Sequence, residues 1–194
     1  MEASNYDIEG LDLSADQYTV EQNLIRNEYR ALDDRGNTVL EGKQKTFKLK
    51  EEFPFVDADG DDVFTVTAQQ IRDYEGQYVL TDARSGDDVV VLDHEYSLLE
   101  QITGATWTIR DPETDAELAA ITSRKFVGLF RTGLLGNMIP HRYEITDADG
   151  GHVGSIAGHL SMKDRYDIEI DDASSVPRAP VVAAAMVIDA IEGH

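Results

Sequence analysis

Five times along this chain an aromatic residue stands four positions before an aspartate. The pairs are Tyr29 and Asp33, Phe53 and Asp57, Tyr78 and Asp82, Trp107 and Asp111, and Tyr143 and Asp147. In four of them a glycine follows shortly after: Gly36, Gly60, Gly86 and Gly150. A degraded sixth copy lies at Ile168-Glu169-Ile170-Asp171. Apolar residues alternate through each copy with period two, which specifies strands, and Asp then Gly at a fixed offset specifies hairpin turns. The alternation predicts strands at 18–23, 28–32, 38–43, 53–56, 63–68, 77–81, 89–92, 106–110, 117–122, 142–146, 152–156 and 167–170. So many hairpins leave exposed edges unless the sheet closes, so a closed antiparallel barrel is expected.

The C-terminal stretch Ala179-Pro180-Val181-Val182-Ala183-Ala184-Ala185-Met186-Val187-Ile188 is apolar on every face. Pro180 suits a first helical turn and Gly193 a stop, which predicts a helix over 180–191. Its uncharged run spans about 15 Å, whereas a bilayer core needs about 20 residues. Such a helix must be wrapped in protein, and a barrel of hairpins supplies the wrapping. Residues 1–15 are acidic and aperiodic and are expected to form a mobile tail before a single domain over 16–194.

Charge narrows the function classes. The chain carries 38 acids against 17 bases, a formal net charge of −21, with only six lysines. The acids are spread over every hairpin rather than blocked, which argues against an acidic decoy of nucleic acid and for a halophilic protein whose self-repulsion is screened in concentrated salt. A broad basic face for DNA or RNA is absent, so nucleic acid is not an expected partner. No cysteine is present, which removes disulfides and thiolate chemistry. The start lacks an apolar signal segment, so a cytoplasmic location is expected, with peripheral membrane contact as an option.

The Tyr-x-x-x-Asp-x-x-Gly hairpins, the stretch Gly42-Lys43-x-Lys45-x-Phe47, the late Tyr143-Glu144-Ile145-Thr146-Asp147 hairpin and the apolar terminal helix together resemble the LURP-one-related family. That family belongs with tubby C-terminal domains and phospholipid scramblases. The resemblance covers nearly everything after residue 17. It implies a mainly β fold, a barrel of about twelve strands threaded by the C-terminal helix. It implies no catalytic residues and no cofactor. Tubby domains bind phosphoinositides through basic side chains and scramblase relatives act at phospholipid membranes, but the fold alone does not fix the role.

Two segments carry candidate chemistry. Lys43, Lys45, Lys48 and Lys50 are four of the six lysines, packed into eight residues. They suit an anionic ligand such as a phospholipid headgroup; equally, lysines protect an edge strand from pairing. The apolar, Gly-interrupted segment from Phe126 to Pro140 is framed by Arg124, Lys125 and Arg131, with Phe130 among its apolar residues. Cations around apolar residues suit docking on an anionic membrane, and a plain cap over the barrel end explains them too. Other patterns are weaker. Asp57, Asp59, Asp61, Asp147 and Asp149 miss the terminal ligands of a calcium loop and fit turn-capping. The five histidines lack metal-ligand spacing and are expected at the surface or rim, although His152 and His159 are candidates to converge on adjacent strands. No nucleophile elbow, P-loop or dinucleotide fingerprint occurs. A non-enzymatic binding module is therefore expected, with a protein-docking scaffold and an enzyme with a pocket at the barrel mouth as alternatives.

Overall fold

The computed structural model describes residues 6–23, 28–43, 52–72, 75–95, 105–123, 142–159, 165–171 and 176–192. Twelve strands form one closed sheet: β1 (Gln17–Asn23), β2 (Glu28–Leu32), β3 (Thr38–Lys43), β4 (Glu52–Val56), β5 (Asp62–Arg72), β6 (Glu75–Asp82), β7 (Asp88–Glu95), β8 (Thr106–Arg110), β9 (Glu117–Ser123), β10 (Arg142–Asp147), β11 (His152–Gly158) and β12 (Arg165–Ile170). Each strand pairs antiparallel with its sequence neighbours, and β1 pairs antiparallel with β12 to close the barrel. The expected closed barrel of twelve strands is the observed fold.

The sequence repeat has a geometric counterpart. In all five Asp hairpins the register slips just before the aspartate: at Ala31/Leu32, Phe55/Val56, Leu80/Thr81, Ile109/Arg110 and Ile145/Thr146. A β-bulge bends the strand and adds twist, which a barrel needs to close. The skipped residues on the returning strands are Val39, Val63, Val89, Leu118 and Val153. Val63, Val89 and Leu118 are buried beside Phe64, Val90 and Ala119, so two successive side chains enter the core where alternation allows one, and Val153 is buried beside Gly154. The five repeat aromatics all point inward, none more than 9% exposed. Gly36, Gly60, Gly86 and Gly150 adopt φ between +77° and +88°, and Asp115 takes the equivalent strained position at +60° in the hairpin without glycine.

Helix α1 (Arg178–Glu192) starts two residues before the expected position. Every residue from Val181 to Ile188 is at most 3% exposed. The helix touches β12 on one wall and β7 and β8 across the barrel, as a helix inside the lumen must. No described helix is long and apolar enough to cross a membrane.

Residues 6–15 depart from the mobile tail expected for 1–15. Tyr6, Ile8 and Leu13 are buried in the common core. The Tyr6 hydroxyl donates to Asp111 Oδ2 at 2.6 Å, and the Glu9 amide donates to Asp82 Oδ2 at 2.7 Å. Alternation explains the docking: Tyr6, Ile8 and Leu13 face in, while Asp7, Glu9 and Asp12 face out.

Candidate functional site

Because the barrel runs up and down, its hairpins emerge at two opposite ends. At one end lie the turns 33–37, 57–61, 82–87, 111–116 and 147–151, with the segment 6–15 against them. Each turn is organised by the aspartate of the repeat. Asp33 Oδ1 accepts from the amides of Arg35 and Asn37 at 2.9 and 2.7 Å. Asp57 Oδ1 accepts from Asp59 and Asp61, both at 3.0 Å, and Asp147 Oδ1 from Asp149 and Gly151 at 3.0 and 2.7 Å. Asp82 Oδ1 accepts from Arg84 and Ser85, and Asp111 Oδ1 from Glu113 and Thr114. These carboxylates cap their own turns. Among the described residues no three His, Asp or Glu side chains come close enough to hold a metal ion.

Hydrogen bonding sets the charge state of this end. The Tyr6 hydroxyl, then the Thr114 amide and hydroxyl, hold the Asp111 carboxyl down at about 2. The bond to Asp111, reinforced by burial, raises Tyr6 to about 12. Burial pushes Asp82 upward, but amides of Ser85, Glu9 and Arg84 outweigh it and keep the carboxyl below its usual range. Asp111, depressed when folded, adds stability that is present above its unfolded value near 3.9 and is lost as pH falls through about 2. Tyr6, raised when folded, adds stability that is present below about 10 and is lost as pH rises through about 12. Tyr6→Phe should therefore cost the same at pH 6 and pH 8, about 1 kcal/mol after allowing for the partly exposed carboxylate, and should move the Asp111 carboxyl toward its ordinary value. Denaturation midpoints and a carboxyl NMR titration check both.

The opposite end is built differently. There β3 ends at Lys43 and β4 begins at Glu52; β9 ends at Ser123 and β10 begins at Arg142; β11 ends at Gly158 and β12 begins at Arg165. Lys45, Lys48, Lys50, Arg124, Lys125, Phe130 and Arg131 lie outside the described residues, as does the side chain of Lys43. Their attachment points are nevertheless fixed by the flanking strands. Lys43 is the last residue of β3, opposite Glu28 in the β2 register. Residues 45, 48 and 50 belong to the β3–β4 connection, Lys125 to β9–β10 and Lys163 to β11–β12. The strands that flank the β3–β4, β9–β10 and β11–β12 connections thus all end on the side of the barrel away from the capping aspartates.

The histidines do not form a site together. His152 Nδ1 lies 3.1 Å from Glu144 Oε1, and His159 Nε2 lies 2.6 Å from Asp167 Oδ2. His152 opens β11 and His159 follows its last residue, so they sit at opposite ends of one strand rather than converging from two, about 23 Å apart. His94 is not a surface imidazole. It is partly buried and stacks on Trp107 with ring centroids 4.3 Å apart. His141 and His194 lie outside the described residues. A groove of about 350 Å³ crosses the outer wall between Arg142, Glu144, His152, Ser155, Asp167 and Glu169, away from the barrel mouth.

A family profile described as LURP-one-related matches residues 38–189, most of the chain. The chain belongs to the LURP-one-related family. A protein of Arabidopsis thaliana solved by X-ray crystallography shares the fold of this LURP-one-related chain, with a TM-score of 0.54 at 12% identity over 92% of this chain and 93% of that one. No curated protein matches the sequence.

Two arginines absent from the expected site residues prove organising. Arg178 Nη1 donates to the carbonyls of Ser14 and Ala15 at 2.8 and 3.0 Å and pairs with Asp16 at 2.7 Å, tying the start of α1 to the chain before β1. Arg84 packs its guanidinium against Gly10. The clue to the docked segment was the alternation Tyr6-Asp7-Ile8-Glu9, too short to stand out beside its acidity.

Proposed function

We propose that this LURP-one-related barrel is a binding module whose lysine-bearing end meets anionic phospholipid headgroups at a membrane surface. The observation that supports it is the order of lysines and strands: Lys43 ends β3, and every other lysine falls in sequence between strands whose facing ends lie away from the aspartate turns. Lys43, Lys45, Lys48 and Lys50 supply phosphate donors, and the segment bearing Arg124, Lys125, Phe130 and Arg131 adds cations and apolar contact at the same end. An edge-protecting role for the lysines loses its force in a closed sheet, which has no edge to protect. In concentrated salt the Debye length falls to about 3 Å, so recognition rests on direct charge-assisted hydrogen bonds rather than long-range attraction.

The test is sedimentation with liposomes of anionic or neutral lipid in high salt. Wild type should bind the anionic vesicles, and Lys43→Glu with Lys45→Glu should reduce binding at least tenfold. Binding that ignores headgroup charge or the double reversal defeats the proposal. Failure to bind any lipid, together with a protein that co-purifies in stoichiometric amount, favours a docking scaffold instead.

A further inference from the structure

We propose that residues 6–13 form a strap over the aspartate end of the barrel that ionic strength opens and closes. The inference is independent of the lysine end. The strap is hinged where Arg178 holds the carbonyls of Ser14 and Ala15 and the carboxylate of Asp16. From there it runs back through a tight turn at Ile8-Glu9-Gly10-Leu11, closed by the Leu11 amide on the Ile8 carbonyl at 3.1 Å. Gly10 takes φ +86°, as the third position of this turn requires. Three contacts hold the free part: Tyr6 on Asp111, the Glu9 amide on Asp82, and Gly10 on Arg84. Ile8 and Leu13 are buried beneath it.

Charge opposes these contacts. Asp7, Glu9 and Asp12 ride exposed on the strap, with Asp16 exposed at its hinge. The turns beneath, 82–87 and 111–116, carry five acids and one arginine, Arg84. Asp82 and Asp111 are engaged in holding the strap, but Asp87, Glu113 and Asp115 are exposed beside it, so acid lies on acid in solvent, where mobile ions screen the charges. At 0.1 M salt the Debye length is about 10 Å and like charges across the contact repel; at 1 M it is about 3 Å and they scarcely do. Buried apolar contact and short hydrogen bonds are far less sensitive to screening. The strap closes in concentrated salt and lifts as salt falls. It leaves before the barrel does, because every strand is paired on both sides and the strap is held by a few contacts. Lifting uncovers the apolar surface that Ile8 and Leu13 cover, at the end where α1 begins.

Amide hydrogen exchange on the full chain across a potassium chloride series tests this, comparing Glu9 and Leu11 with strand amides such as Ile168. The strap amides should lose protection at a salt concentration where the strands keep theirs. Asp7→Asn with Glu9→Gln and Asp12→Asn should lower that concentration about threefold while leaving the strand amides unchanged. Loss of strap and strand protection together, strap protection that survives to low salt, or an opening point unmoved by the triple substitution each overturns the proposal.

Discussion

Val182→Asp should abolish cooperative folding at neutral pH. Val182 is fully buried in α1, with Val181, Ala183, Ala184 and Met186 around it equally enclosed. A carboxylate there enters a lumen walled by apolar side chains, with no cation among the described buried residues to pair with it. The substitution forfeits about 2 kcal/mol of apolar burial and adds several more for an unpaired charge or the protonation that avoids it. Together that is about 5 kcal/mol or more, against a typical total stability of 5–15 kcal/mol. Val182→Ala isolates the packing part and should cost only about 2 kcal/mol. Chemical denaturation in concentrated salt distinguishes them: a Val182→Asp transition at the wild-type midpoint would put that helix face outside the barrel.

The helix was legible because its environment is written in its composition: a run apolar on every face and too short for a bilayer has nowhere to go but a protein interior. The strands were legible for a related reason. Tyr29, Phe53, Tyr78, Trp107 and Tyr143 mark the inward face of each hairpin, and Asp with Gly marks where it turns. The bulges are not legible from alternation alone, although their trace is present. Val63-Phe64, Val89-Val90, Leu118-Ala119 and Val153-Gly154 are adjacent small or apolar pairs where strict alternation demands one polar partner. Strand propensity sees only a slightly more apolar strand; the register slip depends on which residue opposes which across the hairpin. The docking of residues 6–15 is not legible because their acidity outweighs a short alternation and because it depends on Asp82 and Asp111, distant in sequence and adjacent only once the barrel closes. The lysine cluster was visible as a run of residues. That the connections between β3 and β4, β9 and β10, and β11 and β12 leave from the same end follows from strand parity, a property of topology that no local pattern carries.

Gly154→Ala should destabilise the barrel by about 3 kcal/mol, the upper range for an added methyl in a packed interior. Gly154 sits on β11 opposite Ile170 of β12 and just beyond the register slip that places Val153 in the core. A β-carbon at this position would collide with the carbonyl oxygen of Glu169, a backbone atom that cannot rotate aside as a side chain can. Relief requires separating β11 from β12, and β12 is also bonded to β1 across the seam that closes the barrel. Strain at this one residue therefore acts on the closure itself, whereas Gly36, Gly60 and Gly150 face open space and owe their identity to backbone angle alone. Gly60→Ala should consequently cost only about 1 kcal/mol, the price of a left-handed turn residue. Ser155→Ala, one residue along and facing out, should be nearly silent. Thermal unfolding of the three variants in concentrated salt gives the comparison. A Gly154→Ala midpoint as high as that of Ser155→Ala would mean that the β11–β12 seam is loose enough to admit a methyl group, and that the barrel is held closed elsewhere.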